Sequence, residues 1–363
     1  MKKRILALLT IAVVSILLVA CGQSDSGKKS SSNDKLQVKT TVFPVESFVK
    51  QIGGDHVDVE SIYPKGTDLH SYEPSQKDIL DASKSDLFIY TGDNLDPVAK
   101  KVAGAIKDDN KKLSLEKHLS KQDLLKDAHH HEGEDHDHEH GDKAHDHDAD
   151  HKEHDHDHEG EHKEDDHDHE GEHKEDDHDH EGHDHEGHHH GMYDPHIWLD
   201  PKMNETMVKA IRDELSKKDP DHKAEYKKNA DKLLKELDDI DKEMKKATKD
   251  HQGETVYVSH ESLGYLANHY GFKQQGVQNM NAEDPSQKAL TDIVKAIKSS
   301  KTKYILYEEN VSNKVTDTIR QETDAEPLKF NNMESVSKSQ SDDATYQSLM
   351  KENIKNIEKA LNK

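Results

Sequence analysis

Short blocks of hydrophobic residues alternate with polar stretches along most of the chain, and this pattern predicts strands followed by helices. The segment LQVKTTVFPVESFVKQIGG, at 36–54, indicates a strand and then a helix that ends at the paired glycines. HVDVESIYP has the period-two alternation of a second strand, and DLFIY is a third. Helices are expected before DLFIY, with Ser75 as a cap for 76–83, and after it, in DPVAKKVAGAIK. Strands that alternate with helices favour βαβ units and a mostly parallel sheet.

The same order of elements returns in the second half of the chain. TVYVSH predicts a strand that ends at His260, ESLGYLANHYG a helix that ends at Gly271, and FKQQGVQNM another strand. Ser286 opens a helix over 287–299, TKYILYEE is a strand, a helix covers 312–323, and PLKFNNMES supplies the last strand and a loop. ATYQSLMKENIKNIEKALNK predicts a closing helix. The second half therefore predicts a lobe built like the first.

Between these halves, about thirty residues run without glycine or proline, and they predict one long helix. Its apolar positions lie three or four residues apart and form a single stripe, which is typical of a helix with one buried face. At ~1.5 Å per residue the helix is about 40 Å long, enough to span two lobes. The stripe consists of Tyr226, Ala230, Leu233, Leu237, Ile240, Met244 and Ala247.

These elements predict the fold class and the domain organisation. A chain of 363 residues is expected to form two to three domains. We expect an α/β protein of two similar lobes, each a mostly parallel sheet flanked by helices, joined by one long rigid helix. The predicted bounds are 36–200 for the N-terminal lobe, 201–250 for the linker helices and 251–363 for the C-terminal lobe.

The amino terminus predicts where the protein works. Residues 1–20 have three basic residues near the start and then an apolar run, which is the plan of a secretory signal. The run ends in Leu18-Val19-Ala20-Cys21, which resembles a bacterial lipobox, so Cys21 is the expected site of lipidation. A simple membrane anchor helix is the alternative. Residues 21–35 are polar and Ser-rich, so we expect them to form a flexible tether. We therefore expect a lipid-anchored protein on the outer face of the cell membrane.

A His-rich tract at 128–191 interrupts the first lobe. It holds 23 of the chain's 31 His, and its 27 acidic and four basic residues carry 23 of the 25 net negative charges. The unit EHKEDDHDHEG occurs twice in succession, at 161–171 and 172–182. Without Leu, Ile, Val, Phe or Trp the tract is expected to be disordered, and its imidazoles and carboxylates suit transition metals. A merely solvated acidic segment is the alternative. The rest of the chain is nearly neutral, which argues against nucleic-acid binding.

Eight His lie outside the tract, and three of them stand where α/β sheets bind ligands. His70 follows a strand in GTDLHSYEPS, His196 lies in the proline-marked loop DPHIWLDP, and His260 ends a strand. Taken singly, each is either a ligand or a hydrogen-bonded structural His. Cys21 is the only cysteine, so a metal site in the folded body has to use His, Asp and Glu. Structural or surface roles are expected for His56, His118, His222, His251 and His269.

The order of these motifs resembles a known family. A lipobox, TVFPVESFVKQIGGDHVDV, IYPKGTDLHSYEPSQKDI, a His-rich insertion, DPHIWLDP, a long helix, VSHESLGYLANHYGF and YILYEENVSNKV follow one another. This order is similar to that of the zinc-binding lipoproteins, the substrate-binding proteins of bacterial ABC zinc importers in the metal-binding cluster 9 family. The resemblance covers 36–363, and DLHSYEPS and DPHIWLDP are its most specific motifs.

The resemblance implies one metal ion in the cleft between the lobes, held by residues of both lobes. Matched by motif, the ligands are His70, His196, His260 and, in NNMESVS, Glu334. In the resembling family, manganese binders have a carboxylate where His260 stands. Three imidazoles and one carboxylate suit Zn²⁺ better than manganese, which favours oxygen. Other acids near the fourth position are Glu308, Glu309, Asp342 and Asp343.

The resemblance also implies the function. The protein is expected to capture Zn²⁺ as a transported ligand and to deliver it to an ABC permease with its ATPase subunit. It is expected to be a monomer and not an enzyme. A closed four-ligand site leaves no position for an activated water. The alternatives are a surface metal buffer or adhesin that works through the tract, a manganese-specific importer component, and an extracellular zinc enzyme with Glu261 as the base.

Overall fold

The computed structural model describes residues 35–126, 193–309 and 314–362. The predicted signal segment, Cys21, the tether up to residue 34 and the tract at 128–191 lie outside the described residues. Within the three described ranges, no helix is long and apolar enough to cross a membrane.

Four parallel strands form the sheet of the first lobe, in the order β2-β1-β3-β4. The central pairing sets Val38 of β1 opposite Val59 of β2 and Leu87 of β3. The sequence does not predict β4, because three residues are too short to show a period. The strands are β1 Leu36–Thr40, β2 Val57–Ser61, β3 Leu87–Tyr90 and β4 Lys112–Ser114, and the helices are α1 Phe43–Gly53, α2 Gln76–Lys84 and α3 Pro97–Ala105.

Two helices follow the first lobe, both inside the predicted linker. They are α4 Pro201–Lys218 and α5 Lys223–Thr248. Asp200 caps α4 by accepting a hydrogen bond from the backbone N–H of Lys202. With 26 residues, α5 is about 39 Å long. All seven residues of its predicted apolar stripe are buried.

The second lobe repeats the first, because its strands have the equivalent order β6-β5-β7-β8 and are again all parallel. The prediction of two similar α/β lobes is therefore confirmed. The strands are β5 Thr255–His260, β6 Lys273–Gln278, β7 Tyr304–Glu308 and β8 Glu326–Phe330, and the helices are α6 Gly264–Tyr270, α7 Gln287–Ser300, α8 Lys314–Glu322 and α9 Tyr346–Leu361.

Helix α6 is shorter than predicted. It begins at Gly264 and not at Glu261, because the intervening residues are held by other partners. The Ser262 hydroxyl donates to Glu308, and the backbone N–H of Leu263 donates to the side chain of Gln274. The predicted caps at Ser75 and Ser286 are both present and accept from the third helical N–H.

Helix α5 joins the lobes, because it packs against α1 of the first and α9 of the second. The Gln347 side chain of α9 donates to Gln51 of α1 at 2.7 Å and to Glu236 of α5 at 2.6 Å. The rings of Phe48 and Tyr346 meet edge to face, with centroids 5.2 Å apart. Among the described residues, one large apolar core therefore runs through both lobes and the connecting helix, and a smaller cluster lies in the second lobe.

We expect Leu237→Ala to destabilise the protein by about 2–5 kcal/mol, since it leaves a cavity at a fully buried position of α5. Urea unfolding followed by circular dichroism measures this change. Lys235→Ala is the control, because Lys235 is exposed on the same helix and should change stability by no more than about 0.5 kcal/mol. Equal stability of the two variants would show that the stripe does not support the core.

Candidate metal centre

Four residues predicted as ligands come together at the carboxyl ends of the strands. His70 lies in the loop after β2, His196 precedes a short 3₁₀ turn at 197–199, His260 is the last residue of β5, and Glu334 follows β8. One ligand atom from each lies within 4.8 Å of all the others. Loops beyond the carboxyl ends of parallel strands are where α/β sheets bind ligands.

One carboxylate oxygen faces all three imidazoles of this cluster. Glu334 Oε1 lies 3.3 Å from Nε2 of His70, 3.5 Å from Nε2 of His196 and 3.7 Å from Nε2 of His260. The Nε2 atoms of His196 and His260 are 3.1 Å apart. Each of the three imidazoles thus directs its Nε2 atom toward the same carboxylate oxygen.

The cluster is almost sealed from water. His196 and His260 are fully buried, Glu334 is 1% exposed, and the His70 side chain is 9% exposed. His70 Nε2 and Glu334 Oε1 are buried without a hydrogen bond to any part of the chain that the structure describes. Buried polar atoms of this kind are costly unless they have a partner. Three nitrogen donors and one carboxylate oxygen around the same point fit a small divalent cation.

Asp194 orients His196, which gives a role to the Asp that lies two residues before this His in the motif DPHIWLDP. Asp194 Oδ1 accepts a hydrogen bond from the backbone N–H of His196 and lies 2.8 Å from Nδ1 of the ring. This contact turns Nε2 toward the cluster, as outer partners of ligand imidazoles do. The indole N–H of Trp198 donates to the carbonyl of Asn332 at 2.7 Å, which joins this loop to the one that carries Glu334.

The loop that carries Glu334 is held against the first lobe, although it follows a strand of the second. The backbone N–H of Leu69 donates to Glu334 Oε2 at 2.9 Å, and that of Phe43 donates to the Glu334 carbonyl. The Ser335 hydroxyl donates to the carbonyl of Thr67 at 2.7 Å. Glu334 therefore lies beside His70 because of contacts between the lobes.

The other acids considered for the fourth position lie elsewhere. Glu308 contacts the far ring nitrogen of His260, Nδ1, and so stands behind that imidazole. Glu309 is exposed and pairs with Lys329 at 3.3 Å, and Asp342 pairs with Lys65. Within the described ranges, Glu334 is the only acid in the cluster of possible metal ligands. Glu308, Glu309, Asp342 and Asp343 are not part of it.

The charges within the cluster oppose the effect of burial. Burial lowers the pKa of His196, but Asp194 and Glu334 outweigh burial and raise that pKa to about 10. Burial raises the pKa of Glu334, but the neighbouring imidazoles of His70, His196 and His260 outweigh burial and hold this pKa well below its usual range. These directions favour a carboxylate at Glu334 and a protonated ring at His196, and a bound cation would compete with that proton.

The remaining His of the described residues are not part of the cluster. His269 Nδ1 lies 3.0 Å from Asp200, and His56 stacks on His222 with ring centroids 3.6 Å apart. His118 is exposed, and His251 lies near Glu254. The side chain of Glu261, the base in the enzyme alternative, accepts from the backbone N–H of Gly276.

Sequence reasoning missed the residues that support the ligands. Asp194 carries a local signal, since an acid two residues before a His can reach its ring. Glu308 carries none, because it meets His260 only through the pairing of β5 with β7.

Known proteins are similar to this chain over most of its length. High-affinity zinc uptake system protein ZnuA of Bacillus subtilis (strain 168) is 31% identical over 368 residues, which cover 99% of both chains. Zinc-binding lipoprotein AdcA of Streptococcus pneumoniae is 29% identical over 98% of this chain but only 60% of its own length. The crystal structure of Zn(II)-bound AdcA from Streptococcus pneumoniae superposes with a TM-score of 0.64 at 25% identity, covering 91% of this chain and 58% of that one.

The family comparison agrees with these relatives. The family described as zinc-uptake complex component A, periplasmic (ZnuA), matches residues 38–360, from β1 almost to the end of α9. This match includes both sheets, the connecting helix and all four residues of the cluster. The chain therefore belongs to the ZnuA family of zinc-uptake complex components.

Proposed function

We propose that this protein is the extracytoplasmic zinc-binding component of an ABC importer, and that it binds one Zn²⁺ through His70, His196, His260 and Glu334. The observation that carries the proposal is the convergence of three Nε2 atoms and Glu334 Oε1 in a buried site, where two of the four atoms have no hydrogen bond to any described residue. A cation at this point would satisfy all four atoms.

The donor set favours zinc over manganese. Three imidazole nitrogens and one carboxylate oxygen match the tetrahedral sites that zinc forms with nitrogen and oxygen ligands. Manganese prefers sites richer in oxygen, and only one of the four donors here is an oxygen. The relatives' names point the same way, since they describe a zinc uptake protein and a zinc-binding lipoprotein.

The protein captures and delivers its ion and carries out no reaction. Four protein ligands close a zinc site, whereas a hydrolytic zinc site keeps a position for water. Delivery requires a membrane permease and its ATPase, as the family description of an uptake complex implies. Helix α5 packs against both lobes, and we expect opening of the cleft to be a small movement, as the family resemblance implies.

Two further parts of the proposal concern segments outside the described residues. Cys21 carries a lipid that holds the protein, as a monomer, on the outer face of the membrane. The tract at 128–191 collects zinc weakly and raises its concentration near the cleft, because it ends five residues before His196. The tract contributes no ligand to the tight site.

We expect His70→Ala and His260→Ala to weaken zinc binding by more than about 100-fold, beyond the 10–100-fold that loss of an outer-shell partner typically causes. Competition titration with a chelating dye measures the affinity. His269→Ala is the matched control and should bind like the wild type, because its ring pairs with Asp200 away from the cluster. Equal affinity of all three variants would disprove the ligand assignment.

We expect mass spectrometry of the membrane fraction to find Cys21 acylated at the amino terminus of the mature chain. Cys21→Ala should release a soluble protein that binds zinc with unchanged affinity, because the tether separates the anchor from the folded body. An unmodified Cys21 in released protein would reject the anchor and leave the zinc site unaffected.

We expect deletion of 128–191 to leave one tight zinc site with nearly unchanged affinity and to reduce uptake only when zinc is scarce. The weak sites of the tract should lose zinc as pH falls toward about 5, since imidazoles with pKa values near ~6.5 become protonated. Isothermal titration of the full and deleted chains counts both classes of site. Loss of the tight site on deletion would mean that the tract supplies ligands, as a surface buffer or adhesin would require.

A further inference from the structure

We propose that Glu308 positions His260 and thereby sets the preference of the site for zinc over manganese. This inference rests on the proposed zinc site and adds a residue outside the four ligands. Glu308 is the last residue of β7 and is 1% exposed. A carboxylate so deeply buried is retained only where strong donors surround it.

The strand pairing brings Glu308 to His260. Tyr257 and Val258 of β5 pair with Ile305 and Leu306 of β7. The same register places the two strand ends side by side, and Glu308 Oε2 contacts Nδ1 of the His260 ring there. When Nδ1 donates to this oxygen, the lone pair of Nε2 is directed at the cluster, 3.7 Å from Glu334 Oε1.

Two serines hold the Glu308 carboxylate in this position. The Ser259 hydroxyl donates to Oε2 at 2.6 Å, and the Ser262 hydroxyl donates to Oε1 at 2.9 Å. Ser259 also accepts from the backbone N–H of Glu308 at 3.2 Å. These contacts assign a physical role to the serines on both sides of His260 in the motif VSHES.

The charge of Glu308 favours zinc more than manganese. A carboxylate on the far nitrogen makes an imidazole a stronger electron donor to a metal. Zinc gains more from this effect, because manganese binds mainly through oxygen and depends less on an imidazole. Removal of the Glu308 charge should therefore weaken zinc binding more than manganese binding.

Glu308→Gln is the direct test, because it removes the charge at nearly constant volume. The amide oxygen can accept from His260 and Ser259, and the amide N–H₂ can donate to the Ser262 hydroxyl, so the fold is expected to be retained. Glu309→Gln is the matched control, since Glu309 is the next residue, is exposed and pairs with Lys329. Both variants and the wild type are titrated with zinc and with manganese, and their melting temperatures are compared.

We expect Glu308→Gln to bind zinc about 10–100-fold more weakly, to change less in manganese affinity, and to shift the visible absorption of the cobalt-substituted protein. Glu309→Gln should match the wild type in all three measurements. Unchanged zinc affinity of Glu308→Gln, or equal loss of both metals with an unshifted cobalt spectrum, would overturn the role of Glu308. A wild type without a tight zinc site would instead overturn the proposed function.

Ser262→Ala covers the case in which Glu308→Gln does not fold. It removes one hydrogen bond to the Glu308 carboxylate and leaves its charge and its contact with His260 in place. We expect a smaller loss of zinc affinity in the same direction, with manganese affinity nearly unchanged. Zinc affinity equal to that of the wild type would count against the positioning role.

Discussion

A buried carboxylate oxygen that faces three imidazoles is the constraint on which the rest of this structure depends. Oε1 of Glu334 has no hydrogen bond within 35–126, 193–309 and 314–362, although Oε2 of the same carboxylate accepts one from the backbone N–H of Leu69. An ionised group in this position is unfavourable without positive charge nearby. The surrounding loops nevertheless hold it there, through contacts that cross from one lobe to the other. The neighbouring imidazoles favour the ionised form of this carboxylate, and a divalent cation bound among them would be a further partner for Oε1.

The two sheets explain how ligands so distant in sequence meet. Each lobe has the same strand order, so each presents its loops at the carboxyl ends of its strands. The first lobe supplies His70 after β2, and the second supplies His260 at the end of β5. Helix α5 fixes the lobes against each other through α1 and α9, which brings these loop edges together. Each lobe supplies two of the four side chains, so the cluster forms only where the lobes meet.

Local patterns predicted much of the fold, because the relevant forces act over short stretches of sequence. The stripe from Tyr226 to Ala247 and the caps at Ser75 and Ser286 are present as predicted. Strand β4 and the late start of α6 were not predictable, since both depend on partners from other elements. The three His of the cluster stood out because they lie in loops or at the end of a strand, and the family resemblance assigned them and Glu334 as ligands. Contacts between the lobes that the sequence does not reveal explain why Glu334 lies beside His70. Glu308 had no sequence signal for its contact with His260.

The contacts that prearrange the site also limit how it releases its ion. Leu69 and Ser335 join the His70 loop to the Glu334 loop, and Trp198 joins the His196 loop to Asn332. Ligands already held in place lose little conformational freedom on binding, which favours high affinity. The same contacts oppose separation of the four side chains, so we expect slow spontaneous release of an ion bound among them. In the proposed role as an importer component, the free energy needed to open the site therefore has to come from docking on the permease, which must bind the opened form more tightly than the closed one.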